Sequence, residues 1–167
     1  MDRTIAALIL AFVCLAVPLS GQTFSVALLE DSAGAEATEL SNAVLSGCLD
    51  QLFYAGFIAT NETIGRIARP EFQSSALGLQ SAREGYVDFL ALVWIRYAVR
   101  PSDPPVRYPE ALAWRLVRVR DGSALAEGFQ RLEQYESGTT DERTERLSRL
   151  GRGLADLWAK TLKKERG

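Results

Sequence analysis

The stretch from Val87 to Val99 constrains the fold more than any other part of the chain. Phe89, Leu90, Leu92, Val93, Trp94, Ile95 and Tyr97 put bulky apolar groups at odd and even positions alike, and no glycine or proline interrupts them. A strand that is apolar on both faces must be covered on both faces, so this segment predicts the central strand of a sheet packed between other elements.

The covering elements are legible on either side. Between Glu36 and Ala55, Leu40, Val44, Cys48 and Leu52 recur at one helical turn, with Leu45 and Leu49 beside them, which predicts a helix with a broad apolar face. Gly56 follows its last turn, the usual place for a left-handed terminator, and Phe57 to Thr60 then reads as a short strand. Ser74 to Glu84 predicts a second, shorter helix stopping at Gly85. Towards the end, Thr139 and Glu142 have capping-box spacing. Behind them Leu147, Leu150, Leu154, Leu157, Trp158 and Leu162 form the stripe of an amphipathic helix over 140–164, with Arg143, Arg146, Arg149 and Arg152 read as lying off it.

Thr23 to Leu29 reads as the first strand, and Ala111 to Arg120 and Ser123 to Leu132 as a hairpin turning at Asp121-Gly122. Asn61 to Gln73, which contains Pro70, reads as a connection with a short helical turn. Arg100 to Pro109 carries Pro101, Pro104, Pro105 and Pro109 and reads as a loop, because proline removes a backbone donor. The order predicts an α+β domain: a mixed sheet of about five strands covered by about three helices.

The chain opens with Arg3, an apolar run from Ile5 to Val17, and then Pro18, Leu19, Ser20 and Gly21. That layout reads as a secretory signal over residues 1–21, preceding a single domain over 22–167. The apolar run spans only about 20 Å as a helix, short of a bilayer crossing, so cleavage is expected ahead of a retained N-terminal tether. Export places the domain in the periplasm or outside the cell. Cys14 lies inside the apolar run behind Val13, a poor setting for lipidation. Removing the signal would leave Cys48 alone, with no disulfide to form, so a packed core must supply stability.

A net charge of −2 gives no basic excess, which argues against nucleic acid. The absence of histidine removes the commonest general base and the commonest zinc ligand. No catalytic, cofactor or metal site is assigned.

Three sets of residues then resemble a known group of small envelope domains: Val26-Ala27-Leu28-Leu29; the helix from Leu40 to Leu52 leading into Gly56-Phe57-Ile58; and Gly85-Tyr86-Val87-Asp88-Phe89-Leu90. The hairpin from Ala113 to Ser123 is similar as well. The group comprises domains of the curli-secretion protein CsgG, the flagellar lipoprotein FlgO, the penicillin-binding-protein activator LpoB and the amino-terminal domain of TolB. The likeness runs from Thr23 to Leu132 and rests on order and spacing; the chain differs in lacking a lipobox and in its proline-rich segment. It implies a role in binding envelope proteins or assembling in the envelope, and it transfers no catalytic residue.

The chemistry-bearing residues have plainer readings. Cys48 has no histidine to activate it and sits on an apolar stripe, so it is expected in the core. Glu30 and Asp31, at the end of the first strand, are expected to cap the following helix or to start a loop, and Asp88 to pair or cap. The rival class is a small periplasmic hydrolase or ligand-binding enzyme using Glu30, Asp31 and Asp88 together. Gly151-Arg152-Gly153 lies inside a predicted helix and follows no strand, so it is not a phosphate loop. Lys160, Lys163, Lys164 and Arg166 could touch anionic lipid as a peripheral membrane contact, but cations suit a helix C-terminus anyway. Arg107 and Tyr108, flanked by prolines, are the surface candidates for capturing an envelope protein partner or a second copy of the chain. The reading is an exported, non-enzymatic accessory domain.

Overall fold

The computed structural model describes residues 21–165 apart from position 75; the proposed signal, Gly21 excepted, and Arg166 lie outside them. Six strands form one sheet: β1 (Thr23–Asp31), β2 (Ile58–Asn61), β3 (Gly65–Ile67), β4 (Phe89–Arg100), β5 (Val106–Arg118) and β6 (Ser123–Arg131). Its order is β2-β1-β4-β5-β6. β1 runs parallel to β2, β3 and β4, whereas β4, β5 and β6 form an antiparallel meander. The helices are α1 (Thr38–Tyr54), the single turn α2 (Arg69–Phe72), α3 (Leu79–Glu84) and α4 (Thr140–Glu165).

The prediction for Val87 to Val99 holds. In β4, Phe89, Ala91, Val93, Ile95 and Tyr97 face one core with α1 and α4, while Leu90, Leu92 and Trp94 face a second with Phe72 and Ala82. This period of two splits a continuous apolar run between two layers. α1 and α4 begin at the same end of the sheet and run the same way, meeting at backbone distance. A β-carbon on Gly47 would strike the Ser148 backbone, and one on Gly151 the Val44 carbonyl. Cys48 is fully buried in that seam, as expected.

Several expectations shift. The connection after β2 contains β3, a three-residue strand beside β1 that is too short to show a period. α3 starts at Leu79, not Ser74, because the chain from Ser74 makes turns before Gly78. α1 ends as expected: Phe57 N–H donates to Leu52 and Gly56 N–H to Phe53, with Gly56 left-handed at φ 88°. α3 closes with the same bonds, Val87 to Ala82 and Tyr86 to Arg83, but its left-handed residue is Tyr86 (φ 54°), one beyond the predicted Gly85.

Arg107 and Tyr108 are not on a loop. They open β5, opposite Val99 and Ala98 of β4, and the true loop is 101–105. β6 ends opposite Ala111 and the Leu132 N–H still donates to the Glu110 carbonyl, so Val106–Pro109 lies beyond β6 on an open edge where proline is tolerated, and a register shift at Arg96/Tyr97 falls beside it. Arg143 is the other correction. It is 7% exposed, because it lies one helical turn before Leu147 and shares the stripe with Gly151, Leu154 and Trp158.

Candidate functional site

The end of the sheet where β1 finishes is built around a buried carboxylate. Glu30 is 1% exposed; it accepts the Ala37 N–H at 3.1 Å and the Ser41 hydroxyl at 2.8 Å. It therefore fixes the start of α1, the capping role read from sequence. Tyr97 extends the network, its hydroxyl 3.1 Å from Ser41 Oγ, and burial first, then the Glu30 charge, pushes its ionisation up against the opposing Ser41 bond. Asp31 accepts the Ala33 N–H at 3.1 Å, a loop-start turn. Arg66 bonds the Asp31 and Gly34 carbonyls at 3.1 and 2.7 Å and pairs with Glu36 at 3.5 Å.

Asp88 stands at the other end of the sheet. It accepts the Thr23 N–H at 2.8 Å, pairing the starts of β1 and β4. Thr23 and Glu30 are seven strand positions apart, about 23 Å. Glu30, Asp31 and Asp88 therefore cannot converge on one substrate atom, and the hydrolase assembled from them is excluded by geometry. Gly151 and Gly153 lie within α4, so no phosphate loop forms.

At the Glu30 end a cavity of about 400 Å³ opens between the start of α1, the β4–β5 hairpin and the start of α4. Its walls include Thr38, Leu40, Val106, Arg107 and Arg143. Ala37, at the N-cap of α1, has no side chain that could cap it, so beyond the Glu30 bond to the Ala37 N–H the first-turn N–H groups of Thr38 and Glu39 have no side-chain cap among the described residues. α4 carries the predicted box, with Glu142 accepting the Thr139 N–H at 2.7 Å and Thr139 Oγ1 the Glu142 N–H at 3.2 Å. Each helix start carries about half a positive charge. Arg143 donates to the Gly138 carbonyl and the Thr140 hydroxyl, and its buried Nε has no partner among the described residues. Glu36 and Glu39 also border the cleft, Glu36 being drawn to Arg66. The arrangement can hold hydrogen-bond acceptors.

Of the two residues singled out from sequence, Arg107 lines this cleft and is exposed, while Tyr108 beside it is half-buried. Arg143 was missed; its signal was the four-residue step to Leu147. Among the described residues no cluster of metal-ligating side chains occurs, and no helix is long and apolar enough to cross a membrane.

No protein-family model and no curated protein matches the chain. Solved structures resemble it in outline. The PelC dodecamer from Paraburkholderia phytofirmans is 13% identical, with a TM-score of 0.47 over 87% of this chain and 90% of that one. TolB from Acinetobacter baumannii is 9% identical, with a TM-score of 0.48 over 86% of this chain and 28% of that one. The LpoB C-terminal domain from Salmonella enterica is 13% identical, with a TM-score of 0.41 over 74% of this chain and 92% of that one. TolB and LpoB are also among the proteins that the sequence resembles. At these scores no residue role carries across.

Proposed function

We propose that this chain is an exported, non-enzymatic domain of the cell envelope that holds a protein partner, another envelope protein or a second copy of itself, at the cleft beside Arg107 and Tyr108. The observation that carries this reading is the cleft itself, whose walls bring together the exposed Arg107, Arg143 and the start of α1. An acceptor-rich segment, such as one with a carboxylate side chain, would meet the Arg107 guanidinium and the positive end of α1. The hairpin supports the same reading, because a sheet-held Arg107 loses less freedom on binding than one on a loop. Export rests on the apolar run Ile5 to Val17 and its flanks.

The test compares wild-type chain with Arg107→Ala/Tyr108→Ala as baits in envelope extracts, with thermal melting as the folding control and sedimentation to detect self-association. The double variant should melt close to wild type and lose the captured or self-associated species. Unchanged capture and unchanged self-association would remove the cleft from the binding surface.

A further inference from the structure

The opposite end of the molecule collects exposed apolar side chains that the core does not use. Phe53 (75% exposed) and Tyr54 (82%) close α1, Ile58 (58%) opens the edge strand β2, and Tyr86 (91%) precedes β4. They share one end because β1, β2 and β4 are parallel and start together: Thr23 pairs with Ile58, and Phe24 with Phe89. Tyr86 also occupies a left-handed position, which a bulky side chain adopts at a cost of about 1–2 kcal/mol. Its ring is almost wholly exposed, so folding recovers nothing from it.

The chain itself says what faces this end. The apolar run Ile5 to Val17 reaches β1 through about five residues, which span at most about 18 Å. Where that run is retained as an N-terminal tether, the alternative to cleavage, the end bearing Thr23 stays within about 18 Å of the lipid surface. The charge there agrees. Arg118 engages Glu165 at 2.5 Å and Asp121 at 3.5 Å, and Asp88 is taken by Thr23. Arg120, Lys163 and Lys164 form no ion pair among the described residues, against Asp50 and Glu84 on the acidic side, which leaves a small cationic excess at this end. Exposed tyrosines and phenylalanines beside free cations match the chemistry of a bilayer interface, where amphipathic rings sit at headgroup level.

We infer that the end formed by Phe53, Tyr54, Ile58 and Tyr86 docks on a phospholipid bilayer surface. This orientation turns the Glu30 end, and with it the Arg107 cleft, away from the membrane. The inference does not depend on what the cleft binds.

The test uses the full-length chain carrying Cys14→Ser, so that buried Cys48 is the only other thiol, and reconstituted in phosphatidylethanolamine/phosphatidylglycerol vesicles. An environment-sensitive fluorophore is placed at Tyr86→Cys or, at the far hairpin tip, at Ser102→Cys. The probe at 86 should shift to the blue, be quenched by brominated lipid, and be several-fold less accessible to iodide than the probe at 102. A probe at Glu84→Cys should be protected in the otherwise wild-type chain and lose that protection when Phe53→Ser/Tyr54→Ser/Tyr86→Ser are added, with both proteins melting normally, the changes being on the surface. Equal aqueous exposure at 86 and 102 would overturn the inference. So would protection at 86 that appears without lipid and grows with protein concentration, which would mark a protein interface.

Discussion

The Cys48 thiol of α1 donates a 3.3 Å hydrogen bond to the Gly151 carbonyl of α4, across a seam where Gly151 lies directly on the Val44 carbonyl. A methyl group at 151 would meet backbone, which cannot move aside as a flexible side chain can. Gly151→Ala should therefore destabilise the fold by about 1–3 kcal/mol, the cost of overpacking. Gly153, two residues on, faces open space. Gly153→Ala should be neutral or stabilise by up to about 1 kcal/mol, since alanine favours the helix. Paired thermal melts check both.

The same seam makes Cys48 inert. Burial raises its ionisation well above the ordinary thiol range, which starves it of thiolate. Peptide mapping after mild alkylation of the native chain should find Cys48 unmodified, with labelling only after denaturant is added. Fast stoichiometric labelling of the folded chain would contradict the packing described.

Glu30 is the polar counterpart of that apolar seam. Glu30→Ala would leave the Ser41 hydroxyl and the Ala37 N–H buried without their acceptor, and each such orphan costs about 1–3 kcal/mol. The expected outcome is a clear fall in the urea midpoint with an unchanged denaturant slope. Tyr97→Phe removes a bond at the edge of the network and should cost about 1 kcal/mol.

Long periodic segments were legible from residues alone, because burial writes its period into them: α1, α4, β4 and the Asp121-Gly122 hairpin all stand where the pattern put them. The capping box of Thr139 and Glu142 was legible for a similar reason, being a local bond between fixed positions. β3 was not, since three residues carry no period and only the neighbouring β1 recruits them. Arg107 and Tyr108 were read as a loop because proline usually breaks a ladder; the open edge of β5 removes that penalty. Arg143 reads as lying off the leucine stripe with the other arginines, although its four-residue step to Leu147 puts it on the buried face. The cleft could not be read at all, because it joins segments about 100 residues apart that only tertiary packing brings together.

Acid should weaken the fold in a defined window. The Ser123 hydroxyl and N–H donate to Asp121 at 2.6 and 2.9 Å, and these bonds, helped by Arg118, lower its pKa to about 2. Thr139 lowers that of Glu142 in the same direction through the capping box. A folded value below the unfolded one contributes stability that is complete above about pH 4 and lost as pH falls towards about 2. Asp121→Asn should flatten the stability profile in that interval and leave it unchanged near neutrality in shape. Chemical denaturation at stepped pH reads the slope directly.

The two helix terminators provide a last contrast. Gly56 and Tyr86 hold the same left-handed position after α1 and α3, closed by the same pair of backbone bonds, yet only glycine adopts it without strain. Asparagine tolerates the left-handed region far better than tyrosine, and at 91% exposure the ring gives up almost no packing when removed. Tyr86→Asn should therefore raise stability by about 1 kcal/mol, read as a higher melting temperature. If the ring is kept for the bilayer, the same substitution should weaken lipid protection of this end of the sheet, so that one change moves stability and membrane contact in opposite directions. A variant that melts no higher than wild type would show that the Tyr86 backbone is not strained.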